Sequence, residues 1–167
     1  MNQFKSSAFI TRAAIIAALY VVLTLVFAPI SFSEVQVRIS EVLTILPFFT
    51  PAAIPGLFIG CLIANILGGA VLPDIIFGSI ATLLGAIGSY LLRRNRFLVT
   101  LPPVIANTVI VPLVLRFAYG VNLPMWILFL SIAAGEAISC IGLGSALIAV
   151  LKRYQNVLFP AEGNQEA

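Results

Sequence analysis

Residues 9–28 read FITRAAIIAALYVVLTLVFA, and Pro29 closes the run. Its single charge, Arg12, lies near the start, and the rest of the run is apolar or hydroxylic. A helix needs about 20 apolar residues to cross a hydrocarbon core of roughly 30 Å. The segment therefore predicts a transmembrane helix. It is too long for a cleaved secretory leader, and no polar small-residue cleavage region comes after it.

Five more apolar segments lie at about 42–49, 53–69, 74–92, 97–119 and 125–151. The segment at 42–49 is short, holds Pro47 and is followed by Pro51. It spans only if tilted, or if 35–41 adds a turn or two. The chain is 61% hydrophobic and 9% charged over 167 residues, with a mean hydropathy of +1.14. A soluble domain carries roughly 25% charged residues, so lipid must be this chain's main solvent. The expectation is an all-α integral membrane bundle of six transmembrane helices in the plasma membrane. It forms one domain over residues 1–155, with a disordered cytoplasmic tail at 156–167.

The net charge of +3 is a matter of topology rather than of nucleic-acid binding. Lys5 and Arg12 open the first span, Arg93, Arg94 and Arg96 separate the fourth and fifth, and Lys152 and Arg153 come after the sixth. Basic residues collect on cytoplasmic loops. Six spans with both termini inside put all three clusters there, whereas five or seven would put one outside.

That orientation places Glu34, Gln36, Arg38 and Glu41 in an outer loop, Asp74 at an outer helix start and Arg116 near the outer end of the fifth span. Glu136 lies about 16 Å into the sixth span at about 1.5 Å per residue. A carboxylate at such depth faces a cavity or a partner. It either meets a ligand or locks helices through Arg116 or Asn107. Asp74 either meets a ligand or caps its helix. Asn65 and Asn107 read as interhelical glue or as ligand contacts. Arg38 and Glu41 are spaced to pair on a helical turn, and Ser40 can cap the second helix. A loop with this many polar side chains reads as a lid or binding loop.

Small residues form a second pattern. Ala13 and Ala17, and Ala14 and Ala18, make two rows on the first helix, and Gly56, Gly60, Ala64 and Gly68 one on the third. Such rows let helices approach closely. The glycine row is expected inside the bundle; the alanine rows can pack there or present a flat face to another membrane subunit. Cys61 and Cys140 read as small packing residues, and without any His no zinc site is expected. There is no Walker A motif and no nucleophile–base constellation, so no enzyme activity, metal or cofactor is expected.

A family likeness rests on Pro29-Ile30-Ser31-Phe32, Gln36-Val37-Arg38-Ile39-Ser40-Glu41 and Leu46-Pro47-Phe48-Phe49. Gly56-Leu57-Phe58-Ile59-Gly60-Cys61 with Asn65, the stretch from Gly78 to Leu83, and Gly135-Glu136 add to it. Over most of residues 8–153 the chain resembles the QueT family, substrate-binding S components of energy-coupling factor (ECF) transporters for queuosine precursors. It departs from the family pattern at Ser33-Glu34, where small residues are the rule. The resemblance implies a six-helix S-component fold that captures substrate outside and docks to a transmembrane coupling subunit with two cytosolic ATPases. ATP is then used by the partners alone. It also implies docking through an alanine-x-x-x-alanine face, which Ala13, Ala14, Ala17 and Ala18 match.

The implied ligand, prequeuosine (7-aminomethyl-7-deazaguanine), is a cation with a donor-rich guanine edge. Glu136, Glu41 and Asp74 can supply its carboxylates, and Asn65, Asn107, Gln36 and Arg38 its further contacts. The competing readings are an S component for another micronutrient and a structural membrane subunit without a transport role.

Overall fold

The computed structural model describes residues 7–31 and 38–159; Lys5, Glu34, Gln36 and the tail residues 160–167 lie outside the described residues. Helix α1 (Ser7–Val26) is succeeded by the single turn α2 (Ala28–Ser31), a 3₁₀ helix (Ile39–Phe48), α3 (Ala53–Leu67) and α4 (Leu72–Leu91). A short 3₁₀ turn (Leu98–Thr100) leads into α5 (Leu101–Phe117). The last span is α6 (Met125–Glu136), a π-helical segment (Ala137–Leu143) and α7 (Gly144–Arg153); α8 (Gln155–Leu158) comes last. No strand occurs among the described residues.

Four stretches are long and apolar enough to cross a membrane: Ser7–Val26, Leu72–Leu91, Leu98–Phe117 and Met125–Arg153. Their outward faces carry Ile10, Val22, Leu84, Ile105, Phe117, Trp126 and Leu130, all exposed. Apolar surface on this scale would drive aggregation in water; in a bilayer it is the solvated face. The protein is a multi-pass membrane protein.

The two remaining apolar segments are shorter. At about 2.0 Å per residue the 3₁₀ helix is roughly 20 Å long, and at about 1.5 Å per residue α3 is roughly 22 Å. Neither matches a core of about 30 Å. The 3₁₀ helix is nonetheless central. Ser40, Glu41, Leu43, Thr44, Ile45, Leu46 and Pro47 are buried, and it touches α1, α3, α4, α7 and the π segment. Buried on nearly every side, it works as a post around which the longer helices stand.

Close helix approach is set by small residues. A Cβ on Gly56 would lie 2.7 Å from the carbonyl oxygen of Ala13, and one on Gly60 would lie 2.8 Å from Tyr20 Cβ and 3.0 Å from Ala17 Cα. The glycines of α3 thus seat the Ala13–Ala17 row of α1. Ala64 continues the buried row, while Gly68 caps the helix end and is exposed. Ala17 is buried, Ala13 half-buried, and Ala14 and Ala18 face outward. On the far side of α4, a Cβ on Gly85 would meet Pro103 Cα at 2.8 Å, which draws α5 close. The described chain continues past 155. Gln155–Leu158 makes a further helical turn, and Phe159 stacks on Phe49 with ring centroids 5.2 Å apart.

Candidate binding site

Each long element turns one polar stripe inward at helical spacing. Tyr20 and Thr24 lie on α1, Cys61 and Asn65 on α3, Asp74 and Thr82 on α4, Asn107 on α5, and Glu136 and Cys140 on the last span. The 3₁₀ post contributes Ser40, Glu41 and Thr44, with Arg38 just ahead of it. All are buried. Polar groups gathered on one axis of an apolar bundle make it the candidate site.

The site has two parts. In the first, Arg38 Nη2 lies 3.5 Å from Asp74 Oδ2 in a buried ion pair. Tyr119, just beyond α5, donates to the same Asp74 oxygen at 2.9 Å. Burial and the neighbouring Asp74 carboxyl push the Tyr119 hydroxyl up to about 12, so it stays a donor at neutral pH. Asn65 Nδ2 donates to the Asp74 carbonyl at 3.3 Å. Gly78 makes this knot possible, since a Cβ there would sit 2.9 Å from Asp74 Oδ1 and 3.3 Å from Asn65 Nδ2.

The second part is built on Glu41. Its Oε1 accepts from Tyr20 Oη and, at 3.2 Å, from Thr82 Oγ1. Thr44 Oγ1 donates to the Glu41 carbonyl at 2.6 Å. Cys140 Sγ lies 3.3 Å from Glu136 Oε2 and 3.5 Å from that same Glu41 carbonyl. Glu41, Glu136 and Cys140 offer ligand atoms all within 4.8 Å of one another. Two like charges at 4.8 Å repel by about 3–4 kcal/mol at an effective dielectric of about 20. By its chemistry, such a set is suited to a cationic group. The amide of Asn107 lies beside both carboxyl groups, yet its Nδ2 closes no hydrogen bond.

Glu41 Oε2, Asp74 Oδ1, Asn65 Oδ1 and Asn107 Nδ2 are buried without a hydrogen-bond partner. A buried polar atom left unpaired costs about 1–3 kcal/mol. Three of these atoms are acceptors and one is a donor, and three carboxyl groups are buried with the guanidinium of Arg38. By its chemistry, such a set would suit a cationic group rich in N–H donors.

The structure brings Glu136, Glu41, Arg38, Asn65, Asp74 and Asn107 into this site, while Gln36 lies outside the described residues. Several local expectations resolve differently. Arg38 pairs with Asp74, not with Glu41. Arg116 donates to the Val121 carbonyl at 3.0 Å and to Asn122 Oδ1 at 3.4 Å, so it fastens the α5–α6 turn rather than Glu136. Asp74 lies in the first turn of α4, whose N-cap is Val71 with no side-chain cap. Ser40 Oγ accepts from Thr24 Oγ1 at 2.8 Å, and Arg38 occupies the N-cap position without a side-chain cap. Cys61 and Cys140 are free thiols inside the polar site. Tyr20, Thr82 and Tyr119 belong to the same polar cluster through their bonds to Glu41 and Asp74, and the sequence reading missed them. The four-residue spacings Tyr20–Thr24, Cys61–Asn65 and Glu136–Cys140 are the signal that could have found the stripes.

A family model described as "QueT transporter" matches residues 10–153. The chain belongs to the QueT transporter family. That family is one of transporters, not of enzymes. Among curated proteins, the chain is 41% identical over 76 residues to "Queuosine precursor transporter QueT" of Lactococcus lactis subsp. cremoris (strain MG1363). The aligned segment covers 44% of this chain and 44% of that relative, less than half the length of either. No solved structure matches.

The Arg38–Asp74 pair generates a stability prediction. Asp74→Asn leaves the Arg38 guanidinium buried beside a neutral amide, and breaking a buried pair typically costs about 3–5 kcal/mol. The thermal midpoint in detergent should fall markedly, and Arg38→Gln added to Asp74→Asn should recover part of the loss. A single variant as stable as the wild type would show that the pair does not hold these helices together.

Proposed function

We propose that this chain is the substrate-capture S subunit of an ECF-type importer and that it takes up a queuosine precursor, prequeuosine, from outside. The observation that carries the reading is the buried pair Glu41 and Glu136, with ligand atoms no more than 4.8 Å apart and an unpartnered Glu41 Oε2. Family membership and the name of the Lactococcus relative support the substrate class. A 7-aminomethyl-7-deazaguanine is a cation near neutral pH, and its guanine edge presents adjacent N–H donors that a carboxylate accepts together. Acid excess and orphan acceptors at one site match both features. Asn65 and Asn107 are placed to contact the remaining polar edges.

In this reading a transmembrane coupling subunit and two cytosolic ATPases complete the importer. ATP hydrolysis belongs to them, and this chain needs no cofactor. Both termini lie in the cytoplasm. Docking uses α1, and the rows divide the labour: Ala17, with Ala13 beside it, seats against α3, leaving Ala14 and Ala18 as the outward small-residue face.

Two experiments test this. Glu136→Gln keeps size and shape but removes the charge. Losing a buried hydrogen-bonded charge costs about 2–5 kcal/mol, roughly 30- to several-thousand-fold in affinity. Calorimetry on the purified variant should show prequeuosine binding weakened to that extent, with the thermal midpoint retained. Wild-type affinity would reduce Glu136 to a helix lock.

The second experiment replaces Ala14 and Ala18 together by Leu. The coupling subunit should then fail to co-purify while prequeuosine binding persists, whereas Ala17→Leu, wedged against Gly60, should lower the thermal midpoint. Intact co-purification of the Ala14/Ala18 variant would remove this face from docking.

A further inference from the structure

The two carboxyl groups of the pair are not equivalent. Glu41 comes from the central post, and two hydroxyls from two different helices converge on one of its oxygens. Tyr20 on α1 and Thr82 on α4 both donate to Oε1. Thr82 Oγ1 also lies 3.4 Å from Cys61 Sγ and 3.2 Å from the Gly78 carbonyl, but a carboxylate is the stronger acceptor. Tyr20 is 1% exposed, so its ring is enclosed by its neighbours. The carboxyl group is therefore held in one rotation, with Oε1 committed and Oε2 buried without a partner.

Glu136 is held differently. From the described residues it takes a thiol donor, Cys140, at 3.3 Å on Oε2, and a thiol is a weak donor. The Asn107 amide stands beside it, and among the described residues no hydroxyl or guanidinium holds either oxygen, so a pair of N–H groups meets only weak competition there. It sits where α6 passes into the π-helical segment, an irregularity that commonly marks functional positions in helices.

A guanine-type edge offers two parallel N–H donors and needs both oxygens of one carboxylate, whereas an ammonium group is a compact charge that one oxygen can accept. We infer that Glu136 reads the base edge, that Glu41 through Oε2 reads the cationic arm, and that Tyr20 and Thr82 are positioning residues that hold Glu41 for that task. Glu41 is then the residue that selects an aminomethyl-bearing base over one with a neutral arm. This assignment rests on the deazaguanine reading above and goes beyond it by giving each acid its own partner.

The test compares two probes by calorimetry on the full-length protein in detergent: 7-aminomethyl-7-deazaguanine and the same base with a neutral nitrile in place of the aminomethyl group. Wild-type protein should prefer the cationic base. Glu41→Gln should weaken the cationic base by about 30-fold or more and change the neutral one by no more than about twofold, which erases the preference. Glu136→Gln should weaken both probes by similar factors. Tyr20→Phe keeps the ring, and Thr82→Val keeps the shape. Each should cut the cationic preference by about tenfold, the size expected for one hydrogen bond to a charged group, with the neutral base unaffected.

A merely structural role for Tyr20 would weaken both probes together, and that result would overturn the positioning assignment. Selectivity lost in Glu136→Gln and kept in Glu41→Gln would reverse the two acids and overturn the inference. Wild-type protein that binds neither probe would instead sink the deazaguanine reading itself, so the two failures are distinguishable.

Discussion

Three carboxyl groups and a guanidinium are buried in a bundle whose outer surface is hydrocarbon-facing, and every other feature of the site answers to that constraint. Ionised groups removed from water lose several kcal/mol of hydration each, and only good partners return it. Asp74 recovers its share locally from Arg38 and Tyr119. Glu41 recovers part, on one oxygen. Glu136 receives little beyond a thiol and the neighbouring Asn107 amide. What is left over falls on Glu41 Oε2, Asp74 Oδ1 and Asn65 Oδ1, which have no hydrogen-bond partner, and on the like-charged pair Glu41 and Glu136.

The short 3₁₀ helix makes this arrangement available. A full-length span would carry its polar residues near one membrane face or bury them against lipid. Ile39–Phe48 is instead surrounded by other helices, so it can deliver Glu41 into the centre of the bundle without meeting hydrocarbon. Irregular or short helical backbone at membrane depth is tolerated when protein covers it. The glycines and alanines that let α1 and α3 touch close the wall on one side, and the Gly85–Pro103 contact closes it on the other. The same packing keeps Ala14 and Ala18 outward.

Much of the fold was legible in the sequence, because hydrocarbon imposes a simple length rule on apolar helices. The first, fourth, fifth and sixth segments lie close to where that rule placed them. The second did not obey it, since its stability comes from being enclosed rather than from spanning. Glu136, Asn65 and Asn107 were legible because a strongly polar residue in an apolar run is costly. Tyr20, Thr24 and Thr82 were not: a threonine in an apolar helix can turn to the carbonyl four residues back, and a tyrosine ring reads as apolar packing, so neither carries a comparable signal. The Arg38–Asp74 pair was hidden for another reason. Arg38 has extended backbone, with φ −84° and ψ 98°, so its spacing to Glu41 does not act as helical spacing, and its partner comes from a distant helix.

The central claim is that the acid-rich site holds a cationic deazaguanine. The most direct measurement is mass spectrometry of small molecules released from detergent-purified protein, isolated from cells supplied with a mixture of queuosine precursors and common vitamins. The account predicts that 7-aminomethyl-7-deazaguanine is retained at about one molecule per chain and is lost from the Glu41→Gln/Glu136→Gln double variant. Retention of a different micronutrient, or of no small molecule at all, would contradict it.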